Sequence, residues 1–256
     1  MDTPRHRQQM NLLIASLELA WRDRDDFFVG GNMFVYFSVS QAVKNDFRGP
    51  DVFVVLETER RERRSWVIWA EGGKAPTVVI ELTSPSTEQV DRGEKMGIYA
   101  RRMRVPVYVL FDPWTGKLEG YELDPTRQAY RPLEALPNGD VSCAPLGLSL
   151  GVRPGMHENV DAPWLRWIGE DGKVLPSEHE VAEDERRKAE DERRKAEEER
   201  RKADDERRKA EEERMRAERE REEAQRQRER ADEEARRADA LAARMAEYEK
   251  RFGVLG

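Results

Sequence analysis

The 256-residue sequence predicts an α/β (α+β) domain with a mixed central sheet, followed by one long charged helix or coiled coil. Three observations carry that assignment. Short apolar blocks rich in β-branched and aromatic residues, such as "PDVFVVLE", "TVVIELTS" and "VPVYVLFDP", have the composition and length of buried strands. They fall in the order helix, several strands, helix, strand, more strands, which fits a mixed sheet and not a repeated βαβ array. From Ala182 the chain becomes a seven-residue repeat of good helix formers, with no Gly or Pro before Gly253. The expected division is residues 1–180 for the domain and 181–256 for the helix.

Taken in chain order, "QQMNLLIASLELAW" sets Leu13, Leu17, Ala20 and Trp21 at helical spacing, an N-terminal amphipathic helix. "DFFVGGNMFVYFSV", ending at Val39, reads as two short strands around the turn Gly30-Gly31-Asn32. Pro50 opens the next strand, since proline starts strands but seldom lies inside them. After the charged "ETERRERR" comes "SWVIWAE", where Trp66 and Trp69 should face opposite sides with one of them in the core. "SPSTEQVDRGEKMGIYARRM" is a loop and helix with Ile98 and Met103 on the buried side. "VPVYVLFDP" is a further buried strand, "KLEGYEL" and "AYRPLEAL" suggest a hairpin at an edge, and "NGD" marks a tight turn.

Charged residues make up 39% of the chain, unevenly spread. Residues 181–256 carry 26 acidic and 24 basic side chains, and residues 1–180 carry 27 and 22. Neither part is basic overall, so no broad electrostatic footprint for nucleic acid is present. The single Cys143 excludes an intramolecular disulfide and a cysteine zinc cluster. No apolar run approaches 18 residues and the first twenty residues lack a cleavable signal pattern, so the expectation is no membrane partner and a cytoplasmic location.

Alanine recurs every seven residues from Ala182 to Ala238, and Met245 and Phe252 continue the series. Acidic residues stand four before a base, as in Glu183 to Arg187 and Glu190 to Arg194, a spacing that supports an exposed helix. About 70 residues of helix would span roughly 105 Å. A coiled coil needs two apolar positions per heptad, and up to about residue 224 only alanine supplies one. A solitary charge-stabilised helix and a coiled coil both remain open there. Homo-oligomer formation, if the arm serves it, should centre on residues 231–252, where Ala231, Ala235, Ala238, Ala242 and Met245 alternate by four and three.

Glu81 interrupts the apolar run "PTVVIELTSPST", and a buried unpaired carboxylate costs several kcal/mol. It therefore needs a partner, a metal or a proton. Asp51 follows Pro50 at a strand start, and if the two strands pair, both carboxylates converge at one end of the sheet. Two hard oxygen donors with room for water suit Mg²⁺ or Mn²⁺. Such an ion polarises a phosphoryl oxygen, acidifies water and steadies a leaving oxygen. Lys95 is the candidate for positioning the attacking water and stabilising developing negative charge. The plainer alternatives are a structural Asp51 and a solvated Lys95.

These residues lie in a longer pattern. "PD" at Pro50–Asp51, "IELTSPST" at Ile80–Thr87, "DRGEKMGIY" at Asp91–Tyr99 and "VPVYVLFDP" at Val105–Pro113 occur in order, and the stretch closely resembles the Uma-type putative restriction endonuclease domains, a branch of the PD-(D/E)xK nuclease superfamily. The resemblance covers roughly residues 10–150 and leaves the heptad tail outside. It implies a restriction-endonuclease-like core, with Asp51 and Glu81 as metal ligands. The lysine of the superfamily pattern, two residues after the glutamate, is Thr83 here, and Lys95 from the following helix is the implied substitute.

Glu18 on the first helix matches the superfamily's occasional helical acid, while His6 reads as exposed and incidental. Asp91 is either a helix cap or the group that orients Lys95. Tyr99, four residues beyond Lys95, either hydrogen-bonds a phosphate or packs. Arg101, Arg102, Arg104 and the run Arg60 to Arg64 could touch DNA phosphates or be solvated. The function expected is a metal-dependent DNA endonuclease with a helical arm for spacing or oligomerisation. The alternative is a catalytically inactive nuclease-fold module for binding or assembly.

Overall fold

The structure, a computed structural model, describes residues 3–38 and 48–253. Thr3 and Pro4 start the first helix, α1 (Pro4–Ala20). The Thr3 hydroxyl accepts from the His6 amide at 3.3 Å, and proline in the first turn needs no amide partner. The buried stripe of α1 holds His6, Gln9, Leu12, Leu13, Ser16 and Leu17.

A six-stranded sheet forms the centre, in the order β1 (Phe27–Gly30), β3 (Val52–Leu56), β5 (Val78–Leu82), β6 (Val107–Phe111), β7 (Leu118–Asp124) and β8 (Ala129–Pro132). Only β5 and β6 run parallel, and the chain crosses between them through a helical segment, α2, over residues 88–103. All the other pairs are antiparallel, so the sheet is mixed as expected. Side chains alternate across it. Val52, Val54, Ile80, Leu82, Val109 and Phe111 face α1, while Phe53, Val55, Val79, Tyr108 and Leu110 face Tyr99 and Met103 of α2.

Two expectations need correction. The strands expected around Gly30-Gly31-Asn32 both form, but they do not pair with each other. β1 joins β3, and β2 (Val35–Tyr36) pairs in parallel with β4 (Trp66–Val67). Gly31 packs so closely that a Cβ there would lie 2.6 Å from the Asp51 carbonyl oxygen, so the chain runs past β3 instead of folding back as a hairpin. Val39, read as the end of the second strand, lies outside the described residues. The strand at Trp66 ends at Val67. Trp66 is fully buried, and Trp69 sits in the following turn, 42% exposed.

A second, three-stranded sheet was not foreseen: β9 (Val141–Cys143), β10 (Leu148–His157) and β11 (Val160–Ile168). The β10–β11 hairpin turns at Glu158 and Asn159, both with positive φ, as a two-residue primed turn requires. Gln9 ties this sheet to α1. Its side-chain nitrogen donates to the Leu165 carbonyl and its oxygen accepts from the Leu165 amide, both at 2.9 Å.

The chain divides into two compact units, 1–184 and 185–256. The final helix, α3 (Glu178–Phe252), begins with a reciprocal cap in which Ser177 and Glu180 exchange backbone and side-chain hydrogen bonds. Arg166 holds Glu180 through two contacts at 2.7 and 2.8 Å. Within 185–256 the helix carries ion pairs in both orders, base first in Arg186–Glu190 and Arg193–Glu197, acid first in Glu222–Arg226 and Glu233–Arg237. Among the described residues no helix is long and apolar enough to cross a membrane.

Gln9→Ala leaves both Leu165 groups buried without partners. Its unfolding free energy in urea should fall by about 2–4 kcal/mol, whereas an exposed neighbour such as Arg7→Ala should change it by less than about 0.5 kcal/mol.

Candidate active site

The antiparallel register pairs Val52 with Ile80, so one step further out Asp51 stands beside Glu81. Asp51 continues the ladder with its side chain, Oδ2 accepting from the Leu82 amide at 2.7 Å. Both carboxylates share parity with the residues that face α2. Glu81 is 1% exposed. Its Oε1 accepts from the Tyr99 hydroxyl at 2.7 Å, and its Oε2 accepts from Lys95 Nζ at 2.9 Å.

Helix α2 is arranged to deliver these donors. It contains two wide π-helical stretches, Asp91–Lys95 and Tyr99–Met103, a geometry rare in helices and common at functional positions. The Asp91 carbonyl accepts from the Tyr108 hydroxyl at 2.9 Å, a bond from β6 that holds the first π stretch against the sheet. The Asp91 carboxylate is 1% exposed, with Oδ1 2.9 Å from Lys95 Nζ. That contact has the distance of an ion pair without the angle of a hydrogen bond. Of the two roles open for Asp91, the structure shows the pairing with Lys95. Of those open for Tyr99, it shows a hydrogen bond to Glu81.

Burial sets the electrostatics. It pushes the Glu81 carboxyl up to about 8, against the pull of Lys95 and the Tyr99 hydrogen bond, and the neighbouring Asp51 and Asp91 add to the rise. Burial also raises Asp51, outweighing the Leu82 amide and the Lys95 charge. For Lys95 burial acts downward, but the Glu81 and Asp91 carboxylates outweigh it and hold the ammonium above its ordinary value. Burial lifts the Tyr99 hydroxyl well above its usual range, so it acts as a donor.

The structure thus brings Asp51, Glu81 and Lys95 to one end of the sheet. Thr83, at the position of the superfamily lysine, is buried, and its amide donates to the Phe111 carbonyl at 2.7 Å. Glu18 makes none of these contacts. It is exposed on α1 and lines a cleft with Phe27, Phe28 and Arg60 to Arg63. Within the Arg60–Arg64 run, Arg63 is buried and committed to Glu71 through two 2.9 Å bonds. Arg101, Arg102 and Arg104 are exposed.

His6 corrects the expectation of an incidental exposed residue. It is 8% exposed, with Nε2 3.1 Å from the Leu82 carbonyl oxygen and Nδ1 2.9 Å from the Thr3 hydroxyl. The backbone of Leu82 is therefore clamped on both sides, its amide on Asp51 and its carbonyl on His6. The signal was available: Thr3-Pro4 is a helix start, and from it His6, Gln9, Leu13, Ser16 and Leu17 fall on one stripe.

Among the described residues no group of three or more His, Cys, Asp or Glu side chains forms a ready metal cluster. Two adjacent carboxylates still fit one hard divalent cation. Magnesium keeps most of its shell as water and takes one or two protein carboxylates, and Asp51 is only partly buried.

A family model described as "Uma2: Putative restriction endonuclease" matches residues 1–156. Among solved structures, the chain is similar to a putative nuclease belonging to DUF820 from Anabaena variabilis ATCC 29413, with 16% identity and a TM-score of 0.41, over 56% of this chain and 73% of that one. No match was found among curated proteins.

Glu81 binds its proton more tightly in the folded than in the unfolded state. The resulting stability is full below about pH 4.5 and is lost as pH rises through about 8. Without divalent cations the thermal midpoint of the full chain should fall across that window, and Glu81→Gln should flatten the fall. An unchanged pH profile in the variant would show that Glu81 ionises normally.

Proposed function

Because the chain belongs to the Uma2 family, described as putative restriction endonucleases, we propose that it is a Mg²⁺- or Mn²⁺-dependent DNA endonuclease hydrolysing phosphodiester bonds. In this reading Asp51 and Glu81 hold the metal and Lys95 serves the attacking water. One observation carries it. A fully buried glutamate in a sheet strand is flanked by a second carboxylate and met by a lysine ammonium at 2.9 Å.

The local charge supports a divalent cation. With Asp51, Glu81 and Asp91 ionised and Lys95 protonated, the cluster carries two uncompensated negative charges in a poorly solvated place, which one divalent ion balances. Bound there, the ion would polarise the scissile phosphoryl group and lower the pKa of a water. The chain's own residues do the rest. Tyr99 fixes the Glu81 carboxylate by its hydroxyl. Asp91 and Glu81 together keep Lys95 charged and point it at the carboxylate pair, where its remaining hydrogens can orient a water and meet the charge that develops on phosphate. Lys95 supplies from the helix the ammonium that Thr83 cannot supply from the strand.

The heptad arm is proposed to join copies through residues 231–252, so that two sites can address two strands. Of its apolar side chains, Leu241 and Met245 are 64% and 60% exposed, which leaves a surface for a second copy. A reducing, cytoplasmic setting belongs to the same proposal and suits the single buried Cys143.

Plasmid nicking in Mg²⁺ should be lost in Asp51→Asn and Glu81→Gln and fall at least ~100-fold in Lys95→Met, with circular dichroism unchanged in all three. Because a metal competes with the Glu81 proton, Mg²⁺ affinity measured by calorimetry should tighten as pH rises from about 6 and level off above about 8. No metal binding and no nicking in the parent chain would favour the assembly module. For the arm, sedimentation should give a larger particle for the full chain than for a 1–180 truncation when each is expressed per chain, and equal values would remove the oligomer.

A further inference from the structure

Trp114 is 56% exposed, among the most exposed large aromatics of the domain, and it lies in the turn between β6 and β7, at the same end of the sheet as Asp51 and Glu81. Strand β6 pairs in parallel with β5, Leu110 opposite Glu81 and Phe111 opposite Leu82. Trp114 follows Phe111 by three residues, in the tight turn just beyond the end of β5 that carries Glu81.

The turn is rigid. Asp112 Oδ1 accepts from the Trp114 amide at 2.8 Å and the Thr115 amide at 3.3 Å, and Oδ2 accepts from the Thr115 hydroxyl at 2.8 Å. The Gly116 amide donates to the Asp112 carbonyl at 2.9 Å, with Gly116 at φ +74, which suits a residue without a side chain. An exposed indole would ordinarily be free to swing, but here Arg5 lies over it, its guanidinium carbon 4.5 Å from the ring. Arg5 Nη1 in turn donates to the Pro113 carbonyl at 3.2 Å. The neighbouring residue, His6, clamps Leu82, so the stacked pair and the carboxylate end of β5 are braced by one helix turn.

We propose that the Trp114–Arg5 pair is a docking platform for the substrate strand, the indole stacking on an unpaired or splayed nucleobase flanking the cut and Arg5 meeting an adjacent phosphate. Stacking needs a flat, exposed and immobilised ring, and it is tolerant of base identity. Arg5 both orders the ring and adds a positive charge without spending its outer donors on a carboxylate. The platform binds a base away from the reacting atoms, so Trp114 is a positioning residue. The assignment rests on the nuclease reading above.

The test uses the full chain in EDTA, with fluorescently labelled single-stranded DNA and an equally long oligomer lacking bases. The parent should bind the ordinary oligomer at least tenfold more tightly than Trp114→Ala does, while Trp114→Phe recovers most of the affinity and the base-free oligomer does not distinguish parent from Trp114→Ala. In Mg²⁺, Trp114→Ala should raise KM for nicking and leave kcat near the parental value. Equal affinities for the ordinary oligomer, or equal discrimination on the base-free one, would overturn the platform while loss of nicking in Asp51→Asn kept the nuclease standing. Failure of every protein to bind or cut DNA would overturn both.

Discussion

Glu81 occupies the fourth position of β5 with apolar neighbours on both sides, and α2 is built around its charge. An ion pair at this depth is a poor source of stability. Desolvating two charges costs several kcal/mol, and a well-packed apolar pair of the same volume would hold the sheet to the helix as well or better. What the pair provides is placement. Lys95 and Tyr99 each take one oxygen of the carboxylate, which leaves it a single orientation, and Asp91 braces the lysine from the far side. The tension between burial and charge is visible in Glu81 itself, whose carboxyl resists ionisation.

The surrounding backbone follows from that placement. A regular helix carries residues 91, 95 and 99 around its axis by about 40° at each step of four, and the two wider stretches of α2 alter that drift while keeping all three side chains toward β5. Tyr108 answers the Asp91 carbonyl from the sheet. On the opposite face α1 secures the end of β5, because the Leu82 carbonyl can only accept and His6 Nε2 must therefore donate to it. The Thr3 hydroxyl then donates to Nδ1 while accepting from the His6 amide, so the Nε2–H tautomer satisfies every contact. Gly31, with no Cβ to hold it off, lets the chain pass against Asp51.

Much of this was legible in the sequence and some of it was not, for identifiable reasons. The strands at Val52, Val78 and Val107 announced themselves through β-branched runs, and the anomaly of Glu81 inside one of them pointed to the end of the sheet where Asp51 and Lys95 meet it. The heptad helix was visible from periodicity alone. The pairing partners of β1 and β2 were hidden because a Gly-Gly-Asn segment looks like a hairpin turn, while its actual role is close approach to Asp51. Sheet β9–β11 escaped notice because Pro154 and Pro163 in "LGVRPGMHENVDAPWLRWI" argue against strands, yet they face each other in the ladder, where neither has an amide to offer. The π stretches of α2 have no sequence signature. His6 was missed because its neighbours are charged, and only the helical stripe that begins at Thr3 gives it an inward direction.

Net charge says less about the partner than the location of each charge does. The domain is acidic as a whole, yet its charge is unevenly placed, and at one end of the sheet Asp51 stands beside Glu81 while Lys95 pairs with both Glu81 and Asp91. A phosphodiester brought to this end would meet the carboxylates at some cost, and a divalent ion that neutralised the cluster would remove that cost. The same ion would relieve the cost of keeping Glu81 buried. On the proposed reading, binding of metal and binding of a polyanion would be coupled through one set of oxygens. An acidic chain could therefore serve a nucleic acid without a basic surface, provided that a divalent ion supplies the positive charge at that end of the sheet.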